Sequence, residues 1–177
     1  MRDARKFAYS NKALVALCGA ALMLGVAGSA NAATGTNNLT VNATVASTCT
    51  VSAGTIDFGS FDVTDATAEE ATGTVNVKCT NGTPWTLYAN AGAGQTATVD
   101  ARRMTGGAAG TDTLQYQLYT DTYTTAWGDG VSSTVTGAFT GTGTGVDQTQ
   151  TIYGRIPAGQ TASGGGYTDT VVMTVSY

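Results

Sequence analysis

Beyond residue 32, apolar side chains recur at every second position in short runs, and none of these runs carries a helical period. Successive side chains of a β-strand point to opposite faces, so the pattern describes strands with one buried and one solvated face. "LTVNATVA" (39–46) puts Leu39, Val41, Ala43 and Val45 on one face. "CTVSAG" follows, and then "TIDFGSFDV" carries Ile56, Phe58 and Phe61 around an expected bulge at Gly59. "TGTVNVKCT" aligns Val75, Val77 and Cys79, and "PWTLYANAG" turns Trp85, Leu87 and Ala89 inward after Pro84, a tolerated strand start. "TLQYQLYTD" sets Leu114, Tyr116 and Leu118 against Gln115, Gln117 and Tyr119. "QTQTIYGRIP" and the final "YTDTVVMTVSY", alternating through Val171, Met173, Val175 and Tyr177, complete the set. Thr and Val favour strands, and the clusters "GAGQ", "GGAAG", "GTGTG" and "SGGG" mark turns, so this part of the chain is expected to be all-β. None of those clusters precedes a helical pattern or a Lys-Ser/Thr pair, so none reads as a phosphate loop.

Residues 1–32 read differently. Arg2, Arg5, Lys6 and Lys12 form a basic leader, "ALVALCGAALMLGVAG" (13–28) an apolar run, and "SANAA" supplies Ala30 and Ala32 at the small positions a signal peptidase requires. Cleavage is expected after Ala32. The apolar run is shorter than the ~20 residues of a spanning helix, which argues against a membrane anchor. The mature chain of about 145 residues is expected to be soluble and exported, and it suffices for one domain with a real core.

Cleavage alters the charge and the cysteines. Four of the eight basic residues and one of the twelve acidic ones leave with the signal, so the net charge moves from −4 to −7. Such a surface does not attract nucleic acid or anionic lipid. Cys18 is lost and Cys49 and Cys79 remain, an even pair that reads as a disulfide in an oxidising compartment. Closing a loop of about 30 residues stabilises a fold by about 3–4 kcal/mol in the chain-entropy model. A metal site is disfavoured, because histidine is absent and the cysteines stand far apart; Asp129 and Asp147 lack the spacing of a calcium loop.

The same absence of histidine removes Ser-His and Cys-His catalysis, and the adjacent Glu69 and Glu70 sit on a polar stretch without a cleft signal. No enzyme and no cofactor are expected. A secreted carbohydrate-binding or coat-forming sandwich is the competing reading, with Trp85, Trp127, Tyr88, Tyr119 and Tyr123 as a stacking platform. In a chain this poor in Leu and Phe, these aromatics fit core packing better, although Trp127 in "TTAWGDG" has a loop context.

The two ends belong together. The terminal run reads as a half-buried strand with nothing after it to cover its edge, and an exposed edge is a template for another strand. The front run, led in by Thr34-Gly35-Thr36-Asn37-Asn38, could fold back as its own first strand. The alternative is that residues 34–46 leave their own domain and complete the sheet of the next molecule, a head-to-tail contact that builds a fibre.

The signal peptide, the alternating front segment, "STCTV", a second cysteine after "VNVKC" and the terminal "YTDTVVMTVSY" resemble the spore coat protein U family, across essentially the whole mature chain. That family contains the major subunits of archaic chaperone–usher pili. The resemblance implies an incomplete immunoglobulin-like β-sandwich that lacks its last strand and takes a donor strand from a neighbouring subunit. It implies residues 33–46 as the donor segment and 47–177 as the pilin domain. Leu39, Val41, Ala43 and Val45 become the donor plugs, and Val171, Met173, Val175 and Tyr177 a wall of the acceptor groove. The carboxylate of Tyr177 is the expected anchor for a chaperone cation, and Cys49 and Cys79 tie the first strand to the second. Ala43 is a small plug, which leaves the register open by one or two residues. The implied partners are identical or related pilins, a periplasmic chaperone and an outer-membrane usher. The implied role is a surface pilus or fimbria supporting adhesion and biofilm formation.

Overall fold

The computed structural model describes residues 32–177; apart from Ala32, the expected signal peptide lies outside them. Residues 32–42 form a unit of their own, exposed throughout and without a strand. Residues 43–177 form an all-β body of nine strands: β1 (Cys49–Ala53), β2 (Glu69–Cys79), β3 (Pro84–Ala89), β4 (Arg102–Gly106), β5 (Asp112–Tyr119), β6 (Phe139–Thr142), β7 (Gln148–Ile156), β8 (Tyr167–Thr168) and β9 (Met173–Ser176). One sheet has the order β1-β2-β7-β5-β4-β8 and the other β6-β3-β9, with every pairing antiparallel.

The period-two pattern places the core. Val75, Val77 and Cys79 of β2, Trp85, Leu87 and Ala89 of β3, and Leu114, Tyr116 and Leu118 of β5 are all buried, with Ile152 and Ile156 of β7 beside them. Their alternate neighbours are half-buried or exposed, with the Gln117 amide reaching the buried Arg102. Trp127, which has a loop context in sequence, is buried against Phe139 with ring centroids 5.1 Å apart, and its indole N–H donates to the Leu87 carbonyl at 3.0 Å.

β4 breaks the binary pattern. Arg102 points inward and is fully buried, yet it contacts no carboxylate. Its guanidinium instead donates to the carbonyls of Asn90 (2.9 Å), Val99 (3.3 Å), Ala89 (2.8 Å) and Trp127 (2.7 Å), and to the side-chain oxygen of Gln117. All five N–H groups of the fork are used. Burial lowers its pKa from the usual arginine value, but the carbonyl cage lets the charged form persist in the interior.

Residues 54–68 depart from the expected strand. β1 covers only part of β2, ending where Ala53 meets Val75, and the chain then runs irregularly. Gly59, expected at a bulge, lies in a turn with φ 68°, its N–H bonded to the Asp57 carboxylate. The reason is side-chain insertion. Ile56 packs where a Cβ on Gly73 would stand, and Phe58 lies 2.7 Å from the Cβ position of Gly154. Two glycines on adjacent strands thus leave a dent in the sheet, and this segment fills it with side chains instead of extending the ladder.

Cys49 and Cys79 are register partners of β1 and β2 and are bonded to each other. Replacing both with Ser is expected to lower stability by about 3 kcal/mol, read as a fall in denaturant midpoint. An unchanged midpoint would make the bridge dispensable.

Candidate functional site

β9 has one partner. Its register with β3 runs from Thr86↔Ser176 to Ala89↔Met173, and among the described residues no strand pairs with its other edge. β1 is likewise the edge of the other sheet, and β1 and β9 approach each other across the same open side of the sandwich. The inward residues of both edges are only half-buried: Cys49 and Val51 on β1, and Val171, Met173 and Val175 along the last run. Side chains that face a core yet stay half-exposed mark a side without a cover.

Part of this opening is a hollow of about 500 Å³. Met104, Tyr116, Leu118, Trp127 and Ile152 line it, with Thr55 to Phe58 on one side and Tyr167 to Met173 on the other. Its mouth is held by polar clips. Asp169 accepts the backbone N–H groups of Ala93 and Thr170, each at 2.7 Å, and the Tyr116 hydroxyl at 2.5 Å. Burial, reinforced by the Asp169 carboxylate, pushes the Tyr116 phenol well above its usual range, so it remains a donor. Asn90 and Val172 exchange two further bonds, Asn90 N–H to the Val172 carbonyl (3.0 Å) and Val172 N–H to the Asn90 side chain (2.9 Å).

Of the residues expected to form an acceptor wall, Val171 and Met173 border the hollow, Val175 lies opposite Leu87 along β9 outside it, and Tyr177 is exposed beyond the end of β9. The expected donor residues make no strand. Leu39 is 88% exposed, Val41 and Val45 are each 82% exposed, and Ala43 is exposed too. Large apolar side chains this bare, in alternation, are an unsatisfied face. Leu39 to Val45 spans roughly 20 Å if extended, as does Val171 to Tyr177, with four alternate positions in each.

Sequence reading turned Tyr116 and Leu118 inward but missed other residues around the hollow. Met104 follows two arginines and shows no period, and Asp169 sits in the terminal motif without any sign of its partners. The other surface candidates are occupied. Glu70 pairs with Arg155, and Arg155 stacks over the Tyr123 ring at 4.4 Å. Tyr123 meets Tyr119 and Tyr153 edge-on, with centroids 5.8 and 5.7 Å apart. Trp85 and Trp127, the larger rings of a stacking platform, are in the core.

Comparison with known proteins agrees with this architecture. The sequence model of the Spore Coat Protein U domain matches residues 35–174. The chain is 37% identical to "Protein U" of Myxococcus xanthus over 180 residues, covering 94% of this chain and 98% of that protein. Its fold is similar to a chain in the solved structure of the CsuC–CsuE chaperone–tip adhesion subunit pre-assembly complex from the archaic chaperone–usher Csu pili of Acinetobacter baumannii, with a TM-score of 0.55 at 19% identity. That likeness covers 76% of this chain and 41% of the solved one, and it shows an immunoglobulin-like β-sandwich.

Proposed function

The chain belongs to the Spore Coat Protein U domain family, and on that premise we propose that it is a structural subunit of a surface fibre built by donor-strand exchange. The observation that carries the reading is the pairing of two incomplete features: a bare alternating segment at 39–45, and the unpaired edge of β9 with half-buried Val171, Met173 and Val175 along it. Seating Leu39, Val41 and Val45 in a neighbour's groove would contribute about 5–7 kcal/mol, with less from Ala43. Ladder hydrogen bonds to the free edge of β9 add about 1 kcal/mol each.

Topology supports one polarity. The leader leaves the body beside Cys49 and Cys79, the pole toward which β9 also runs, since Ser176 pairs with Thr86 near the start of β3. A strand inserted antiparallel to β9 brings Val45 out at the opposite pole, by Val171, so that successive bodies extend in line. Inserted parallel, it would bring the donor body onto the pole where the acceptor's own leader leaves.

A subunit exported with this groove open needs a helper strand until assembly. We assign that role to a periplasmic chaperone, with an outer-membrane usher exchanging the helper for the next leader and the exposed Tyr177 contacting the chaperone. The finished fibre lies at the cell surface and supports adhesion and biofilm formation. The test uses the mature chain and a synthetic peptide of residues 33–46 added during assembly. The peptide is expected to cap growth, shortening fibres seen by electron microscopy. Peptides with Leu39→Asp or Val41→Asp should lose this effect, and those with Asn38→Asp or Asn42→Asp should keep it. Equal potency of all four would refute the alternation.

A further inference from the structure

We propose that Tyr119, Tyr123 and Tyr153 form an oxidative crosslinking site on the outer wall of the body, where the Tyr123 ring becomes joined covalently to that of Tyr153. The proposal is independent of strand exchange. Tyr119 ends β5 and is the register partner of Tyr153 on β7, so both rings stand on the sheet face opposite the buried Leu118 and Ile152. The turn after β5 delivers the third ring. Thr120 N–H donates to the Thr125 carbonyl (3.0 Å), and the Asp121 carboxylate accepts the N–H groups of Thr124 (2.9 Å) and Thr125 (2.8 Å) and both their hydroxyls (2.6 and 2.7 Å). This clamp holds Tyr123 at φ 66°, a conformation that strains any residue with a side chain. The strain sets the ring against its two neighbours, 5.8 Å from Tyr119 and 5.7 Å from Tyr153 between centroids.

All three tyrosines are half-buried, so a small oxidant can reach their edges. The others are placed differently: Tyr88 lies against Gly130, and the hydroxyls of Tyr116 and Tyr167 are bonded to Asp169 and to the Ser163 carbonyl. Burial, and then the nearby Glu70 carboxylate, raise the pKa of the Tyr123 phenol. The ring therefore stays a phenol, with a base at hand for its proton. Coupling takes two one-electron oxidations, supplied by hydrogen peroxide through a haem peroxidase. Each phenol gives up an electron and its hydroxyl proton, leaving two phenoxyl radicals. Their ring carbons beside the oxygens form one carbon–carbon bond, and the hydrogen on each of those carbons moves to its oxygen, restoring both phenols. Two rings thus lose two hydrogens in all, and one peroxide becomes two waters. Radicals held this close couple within the chain before they meet another chain. The bond would tie the turn to β7 across a separation, 123 to 153, equal to the 30 residues that the disulfide spans, and reductants would not break it.

The test treats the mature chain, at low concentration, with hydrogen peroxide and a haem peroxidase. Dityrosine fluorescence is read in the monomer band, joined peptides are identified by mass spectrometry, and the melting of each variant is followed alongside. The unchanged chain should yield a pair joined through Tyr123 and Tyr153, two hydrogens lighter than its parts. Its denaturant midpoint with the disulfide reduced should rise on oxidation. Tyr123→Phe and Tyr153→Phe, which keep the ring packing, should each lower the yield about tenfold, whereas Tyr88→Phe should not change it. Asp121→Ala, which frees the turn, should lower it about threefold. Equal yields from Tyr123→Phe and the unchanged chain, or dityrosine found only between chains, would overturn the site. A main product joined through Tyr119 would overturn the Tyr123–Tyr153 assignment, and an undiminished yield from Asp121→Ala would overturn the role of the turn.

Discussion

A mature chain carrying Leu39→Asp and Val41→Asp together is expected to fold, form its disulfide and fail to grow fibres from itself alone. Both positions are bare in the isolated chain, so the substitutions remove nothing that holds the body together. Seated in a neighbour, however, each carboxylate would enter a groove bordered by Val171 and Met173, over a floor of Leu118, Trp127 and Ile152. Burying an unpaired charge among such groups costs several kcal/mol, and each 1.4 kcal/mol is a factor of ten in affinity. Two such charges should weaken the joint by well over three orders of magnitude. The defect is also directional. The substitutions leave the β9 edge unchanged, so on the proposed strand exchange a small fraction mixed with unchanged chain should terminate fibres and shorten them. Mean fibre length against mixing ratio, counted by electron microscopy, checks this. Normal fibres from the double variant alone would overturn the donor assignment.

Arg102→Ala is expected to be the most damaging single change to the body. The side chain satisfies four main-chain carbonyls and Gln117 in the interior. Removing it strands buried acceptors at about 1–3 kcal/mol each and opens a cavity besides. The sum is comparable to the whole stability of an ordinary domain, so little folded protein should accumulate. Arg102→Lys keeps the charge but offers three donors from a point, not a planar fork, and should recover only part of the loss. Denaturant midpoints of the two variants decide the matter. A shift below 1 kcal/mol for Arg102→Ala would mean that the carbonyls find water or new partners.

Much of the fold was legible because the buried strands obey a simple rule. β2, β3 and β5 alternate cleanly, and their inward residues were identifiable from spacing alone, while β7 was recognisable as a strand without its inward face being assigned. β4 was not, because its innermost residue is an arginine, and a pattern that equates charge with solvent must turn that strand inside out. β6 and β8, four and two residues long, are too short to show a period. The run at 55–63 looked like a strand because its apolar side chains do face inward, but its backbone makes no ladder. What decides this is the dent made by Gly73 and Gly154 on two other strands, a relation between distant residues that no local window contains. The alternation of the terminal run was legible, whereas the hollow beside it is assembled from β4, β5, β7 and the Trp127 segment and emerges only in three dimensions.

The position of the Cys49–Cys79 bond has a mechanical consequence. Tension applied through the leader travels along residues 46–48 and reaches the body at Cys49, the first residue of β1. There it crosses a covalent bond to Cys79 on β2, a strand flanked on its far side by nine register pairs with β7. The β1–β2 ladder, which would otherwise peel open one rung at a time from its loaded end, is bypassed. The load is spread instead as shear along a long central strand, where many hydrogen bonds must yield together.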